Sequence, residues 1–242
     1  MTGGTEVVVF PEAEDLTATV ATRLLAAVAA AQAAKGTASL VLTGGRTGIA
    51  VLEAVRTAAS AVDWSTVDIY WGDERFLPAG NPERNETQAR AALLDHVPVD
   101  QARVHPMAPS DGRFGDDPDA AAAAYAELLG ESPEFDVLLV GVGEEGHTLS
   151  VFPDSPAVHS TDVVVAVRDC PKPPPTRVSL TLSTARLASQ VWLMTTGAAK
   201  AEAVGKALAG VPEAEIPAAG ARGRDATVWF LDEAAAAEVK QD

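Results

Sequence analysis

The chain has 242 residues, 47% of them apolar and 5% aromatic, with a formal net charge of -16. That length and apolar content suffice for a sizeable core, while the charge argues against nucleic acid or an anionic membrane as a partner. A single cysteine, Cys170, excludes an internal disulfide and any metal site built on two thiolates.

Apolar strand-like runs alternate with alanine-rich stretches from end to end. This is the pattern of an α/β fold with a mostly parallel central sheet flanked by helices on both faces. Glu6–Phe10 reads as the first strand and Glu14–Ala34 as a long helix. Ser39–Thr43 is a second strand, followed by Gly44-Gly45 and a helix reaching Ala59. Val67–Trp71 is a third strand, and a polar loop runs from Gly72 to Asn85. Helices are expected at Glu86–Leu94 and Asp117–Leu129. The continuous run Val137–Val140 then reads as a strand buried on both faces. Val163–Val167, Arg177–Leu182, Val191–Thr195 and Thr227–Leu231 complete the strands, with a helix over Ala198–Ala209 and Glu233–Lys240 closing the chain. Pro173-Pro174-Pro175 cannot sit inside a sheet, so it reads as a stiff approach to the strand at Arg177.

No linker, repeat or low-complexity segment divides the chain, so residues 1–242 read as a single domain. No apolar stretch is expected to reach the roughly 20 residues of a membrane span. The start, MTGGTEVVVF, lacks the basic opening and long apolar core of a signal peptide. The expectation is a cytoplasmic protein acting as a monomer.

Four groups of residues could carry chemistry. Thr43-Gly44-Gly45-Arg46-Thr47-Gly48 joins a buried strand to a helix; its glycines admit close approach to backbone N–H groups, and the helix start favours phosphate. A tight turn with a capping threonine is the alternative reading. The spacing is neither a dinucleotide fingerprint nor a Walker loop. Asp73-Glu74-Arg75 follows the third strand; adjacent side chains diverge in extended backbone, so one carboxylate in a cleft is favoured over a paired dyad. A solvated charged turn remains the other option. Gly143-Glu144-Glu145-Gly146-His147 follows the buried strand, placing His147 at the carboxyl edge of an open sheet with Glu145 close enough to orient it. His96, His105 and His159 have no such glycine framing and read as structural or surface residues. Arg177 and Lys200 add cations at expected strand ends, where Lys200 at a helix start is opposed by the macrodipole unless an anion binds.

Together these segments resemble the 6-phosphogluconolactonase family. The resemblance rests on Thr43–Thr47, Gly72–Arg75 with Asn85, Gly143–Thr148 through Pro153, Pro171–Pro174 leading to Arg177, and Gly197 with Lys200, in that family's order. It implies a Rossmann-like fold shared with glucosamine-6-phosphate deaminases, and hydrolysis of 6-phospho-D-glucono-1,5-lactone without metal or cofactor. It also implies His147 as general base, with Glu145 and Asp73 as catalytic carboxylates. Thr43, Gly44, Gly45, Arg46, Thr47, Arg75, Gly143, Arg177 and Lys200 would line the phosphosugar site. The chain departs from the family pattern in carrying Arg46 for a serine, Gly48 for a proline and Glu145 for an aspartate. Two rivals remain: deamination of an amino-sugar phosphate, and binding of a sugar phosphate without catalysis. The deaminases carry an acid soon after the histidine, whereas Ser150–Pro153 offers none here.

Overall fold

A computed structural model describes residues 4–240, so residues 1–3 and 241–242 of the expected single domain lie outside the described residues. In chain order the elements are β1 (Gly4–Phe10), α1 (Ala13–Lys35), β2 (Ala38–Leu42), α2 (Gly45–Thr57), β3 (Val67–Trp71), β4 (Asp73–Arg75), α3 (Asn85–Ala92) and β5 (Val104–His105). There follow α4 (Pro118–Leu129), β6 (Val137–Gly141), β7 (Val164–Val167), β8 (Arg177–Leu180), α5 (Leu182–Ala185), β9 (Gln190–Thr195), α6 (Ala201–Leu208) and β10 (Ala226–Asp232). Seven strands make the central sheet in the order β1-β10-β9-β6-β2-β3-β5. Every pairing in it is parallel.

The inner strands are continuous apolar runs because both of their faces are covered. In β2, Leu40 and Leu42 pack with α1, α2 and α3, while Val41 faces α4, α6 and the opposite core. In β6, Val137 and Leu139 take the first side, and Leu138 and Val140 the second. Each such side chain contributes roughly 1.5–3 kcal/mol on burial.

Four differences from the sequence reading have physical causes. Val163–Val167 and Arg177–Leu182 do not join the main sheet; β8 pairs antiparallel with β4 on one side and β7 on the other in a separate three-stranded sheet. That sheet helps to cover the second face, so β7 is apolar throughout and β8 is buried along its length. The expected loop after Gly72 begins with β4, tied through Leu180 N–H to Gly72 O at 2.8 Å. Glu233–Glu238 form turns and no closing helix. Finally, α1 is long and apolar enough to cross a membrane by length and composition, contrary to expectation. Its alanines raise the mean hydropathy, but Leu16, Val20, Leu24 and Val28 are buried against the sheet.

Candidate active site

From β2 the chain builds outward through β3 to β5, whereas β6 lies on the other side of β2 and leads through β9 to β10. The loops leaving the carboxyl ends of β2 and β6 therefore diverge, the place where open α/β sheets take ligands. A cleft of about 490 Å³ opens there, lined by segments after β2, β3, β6 and β9 together with Arg177 at the start of β8.

After β2, Gly44 is the N-cap of α2, with no side-chain cap and no acid in the first turn. The first N–H groups of α2 are therefore available to an anion beside Thr43, Gly45, Arg46 and Thr47. Thr47 Oγ1 lies 3.0 Å from Thr196 Oγ1, joining this turn to the loop after β9. Gly44 is required by close approach: a Cβ there would sit 1.9 Å from Asn85 Oδ1.

After β3, the neighbouring acids separate as extended geometry requires. Asp73 lines the cleft, where Ser150 donates to Oδ2 at 2.6 Å and Asn85 Nδ2 donates to Oδ1 at 3.3 Å. Glu74 turns inward and caps α3, accepting from the backbone N–H groups of Asn85 at 2.7 Å and Glu86 at 2.9 Å. The Arg84 guanidinium is 3.6 Å from it, and both side chains are buried. Burial pushes the Glu74 carboxyl up to about 7, against the opposing pull of Arg84 and three backbone N–H groups.

After β6, the loop Gly143–His147 closes on itself, with Gly143 N–H donating to His147 O at 2.8 Å and Gly146 N–H to Gly143 O at 3.1 Å. His147 stacks on Phe152, ring centroids 4.4 Å apart, and its Nδ1 is 3.1 Å from Glu145 Oε1. The two atoms face each other without hydrogen-bond geometry, so the carboxylate acts on the ring as a nearby charge. Gly143 makes room for the ring: a Cβ there would lie 1.9 Å from Nδ1. The second oxygen of Glu145 accepts from Lys172 Nζ at 2.8 Å. Partial burial raises the Glu145 carboxyl, but contacts with His147 and Lys172 outweigh it and hold the group well below the usual carboxylate range. Glu145 is thus ionised, which favours a proton on Nδ1 and leaves the lone pair of Nε2 for the cleft.

The expected cations reach the same space. Arg75, Arg177, Lys200 and Arg46 all line the cleft. Burial lowers the Lys200 ammonium, with Lys172 and Arg46 adding to it and Glu144 and Glu145 opposing. Burial also lowers the Arg177 guanidinium, with Asp73 opposing and Arg75 adding. A bound anion would relieve both. Arg177 is committed in part to the chain, since Nε donates to Pro174 O at 2.7 Å and Nη2 to Lys172 O and Pro173 O at 3.2 Å each. Arg75 Nη1 donates to Glu83 O at 2.5 Å. Lys200 closes a 3-10 turn at Ala198–Lys200 ahead of α6 rather than sitting within its first turn.

Of the residues proposed from sequence, the structure brings all but Glu145 to the cleft wall, and Glu145 stands behind His147. Sequence reasoning assigned no role to Lys172, Asn85 or Thr196. The lysine within Pro171–Pro175 was a visible signal, but its partner is 27 residues away. Among the described residues, no three or more His, Cys, Asp or Glu side chains gather to hold a metal ion.

A family model described as glucosamine-6-phosphate isomerases/6-phosphogluconolactonase matches residues 11–229. The chain is 51% identical over 246 aligned positions to a 6-phosphogluconolactonase of Streptomyces coelicolor, covering 97% of this chain and 94% of that one. Its structure is similar to that of the 6-phosphogluconolactonase from Trypanosoma brucei, with a TM-score of 0.82 and 25% identity over 99% of this chain and all of that one. It also shares its fold with a monomeric glucosamine-6-phosphate deaminase, with a TM-score of 0.82 and 21% identity, covering 96% of this chain and 99% of that one. Fold alone therefore does not separate the two chemistries.

Proposed function

The chain belongs to the family of glucosamine-6-phosphate isomerases and 6-phosphogluconolactonases, and from that premise we propose that His147 is the general base of its lactone hydrolysis. The enzyme hydrolyses 6-phospho-D-glucono-1,5-lactone to 6-phosphogluconate, a step of the pentose phosphate pathway. The observation that carries the residue assignment is the His147–Glu145 pair at the carboxyl end of β6, facing a cleft lined by four cations.

In this mechanism Nε2 of His147 takes a proton from water as its oxygen attacks the lactone carbonyl. The resulting tetrahedral oxyanion is stabilised by cleft donors, either backbone N–H groups of the glycine turns or an arginine. Collapse breaks the bond between the carbonyl carbon and the ring oxygen, and the leaving oxygen takes the proton back from the imidazolium. Ionised Glu145 stabilises that imidazolium between the two transfers. A lactone is already an activated ester, so no step requires a metal or a covalent intermediate. Arg46, Arg75, Arg177 and Lys200, with the open start of α2, hold the phosphate and so position the ring. Asp73 braces the sugar side of the cleft.

We also take the chain to act as a cytoplasmic monomer and as one folding unit. The support is that residues from Thr43 to Lys200 of one chain complete the cleft, and that its phosphorylated substrate is confined by membranes. The test uses freshly prepared lactone and follows acid release above the spontaneous rate. His147→Ala should lose turnover while keeping substrate affinity, and Arg75→Ala or Lys200→Ala should raise KM far more than they lower kcat. Equal rates for native enzyme and His147→Ala would end the general-base assignment.

A further inference from the structure

The catalytic carboxylate has a second partner that the mechanism above does not use. Glu145 Oε1 faces His147 Nδ1 at 3.1 Å, while Oε2 accepts from Lys172 Nζ at 2.8 Å. Both contacts come from one carboxylate, so its rotation is fixed from two sides. Lys172 itself is held by an unusual anchor. Arg177 reaches the carbonyls of Lys172, Pro173 and Pro174, and the prolines around them restrict the backbone further. The proline segment, whose sequence signals only a stiff approach to β8, therefore delivers an ammonium group to the back of the catalytic pair.

We propose that Lys172 is a positioning residue for lactone hydrolysis, acting through Glu145 on His147. It has two effects. It keeps Oε1 aimed at Nδ1, which fixes the ring orientation and tautomer. Its positive charge also offsets part of the attraction between Glu145 and the imidazolium that forms during turnover. The other charges around the imidazole are Glu144 of its own loop, Asp73 and Arg75 of β4, Arg177 of β8, Arg46 of α2 and Lys200 after β9. None of them hydrogen-bonds an oxygen of Glu145, whereas Lys172 does. Lys172 is also half-exposed, so its side chain can be changed without opening the core.

This inference rests on His147 being the base, and the experiment separates the two. The kcat and kcat/KM of Lys172→Met, Lys172→Gln and Lys172→Arg are measured across pH, beside His147→Ala and the double variant Lys172→Met/Glu145→Gln. Lys172→Met and Lys172→Gln should lower kcat about fivefold with KM little changed, and move the acid limb of kcat/KM up by about half a pH unit. Lys172→Arg should restore both. In the Glu145→Gln background, Lys172→Met should cost less than about twofold in kcat, because the route through the carboxylate is already broken. An unmoved acid limb, a change confined to KM, or an undiminished loss in the double variant would overturn the role of Lys172 while leaving the base assignment standing. Full activity of His147→Ala would overturn both. Circular dichroism of each variant establishes that the comparison is between folded proteins, and the two charge-removing substitutions, Met and Gln, serve as independent checks.

Discussion

Glu74 and Glu145 are two carboxylates that each meet a cation, yet their surroundings drive them in opposite directions. Glu74 is buried at the start of α3, where Arg84 and three backbone N–H groups only partly offset the cost of taking its charge from water. Glu145 keeps about a third of its side chain exposed and lies between His147 and Lys172, so its charge is retained. The difference separates an acid that caps a helix from one proposed to serve the catalytic base. Pairing alone does not decide the charge; the balance of desolvation against direct contact does. Glu74 holds the chain after β3 in shape so that its neighbour Asp73 reaches the cleft, whereas Glu145 lies against the histidine proposed as general base.

The contrast is broken most severely by removing what Glu145 serves. His147→Ala should lower kcat by about a thousandfold, the usual scale for a general base, with KM changed only a few-fold. Gly143→Ala should approach that loss, about a hundredfold, because its Cβ would overlap Nδ1 at 1.9 Å and turn the ring away. Steady-state kinetics on fresh lactone read both. On the structural side, Arg84→Met leaves Glu74 buried without its cation and should reduce stability by about 3–5 kcal/mol in denaturant unfolding.

The fate of the two acids also marks how far the sequence was readable. Glu145 and His147 are two positions apart in a glycine-framed loop, so their meeting was legible. So were the strand ends that carry Thr43, Asp73 and Lys200, because runs such as Val137–Val140 announce strands buried on both faces. The cap that Glu74 places on α3 joins residues 74 and 85, and Lys172 meets Glu145 across the proline segment and β6. Nothing local encodes such pairings; they follow from how the sheets stack. The small antiparallel sheet was hidden for a related reason: β7 is as apolar as a central strand, and nothing in β8 marks which sheet buries it along its whole length. At three polar residues, β4 carries too short a pattern to be seen before its partner is known.

A pH series sharpens the comparison from the side of Glu74. Its carboxyl is raised from 4.5 to about 7 in the folded chain. Between those values the folded state binds more protons than the unfolded state, so this group's contribution to stability is present at low pH and is lost as pH rises through that window. Glu74→Gln removes the dependence. Relative to the native enzyme, the variant should therefore gain about 2–3 kcal/mol between roughly pH 4 and pH 8, read as the difference of two unfolding curves. A constant difference would mean that folding leaves the Glu74 carboxyl unshifted.

A smaller effect is expected at Glu145 itself. Glu145→Gln keeps the shape and an acceptor oxygen near Nδ1 but removes the negative charge that stabilises the imidazolium. Proton uptake from water then becomes harder at the moment of attack, and kcat should fall about tenfold. The same loss makes resting protonation of His147 harder, so the acid limb of kcat/KM should move to lower pH by about half a unit to one unit. Removing Lys172 takes away a charge of the other sign and should move that limb the opposite way. The two substitutions thus test one electrostatic balance from both ends. Shifts in the same direction would mean that Lys172 and Glu145 act on His147 through packing rather than through charge.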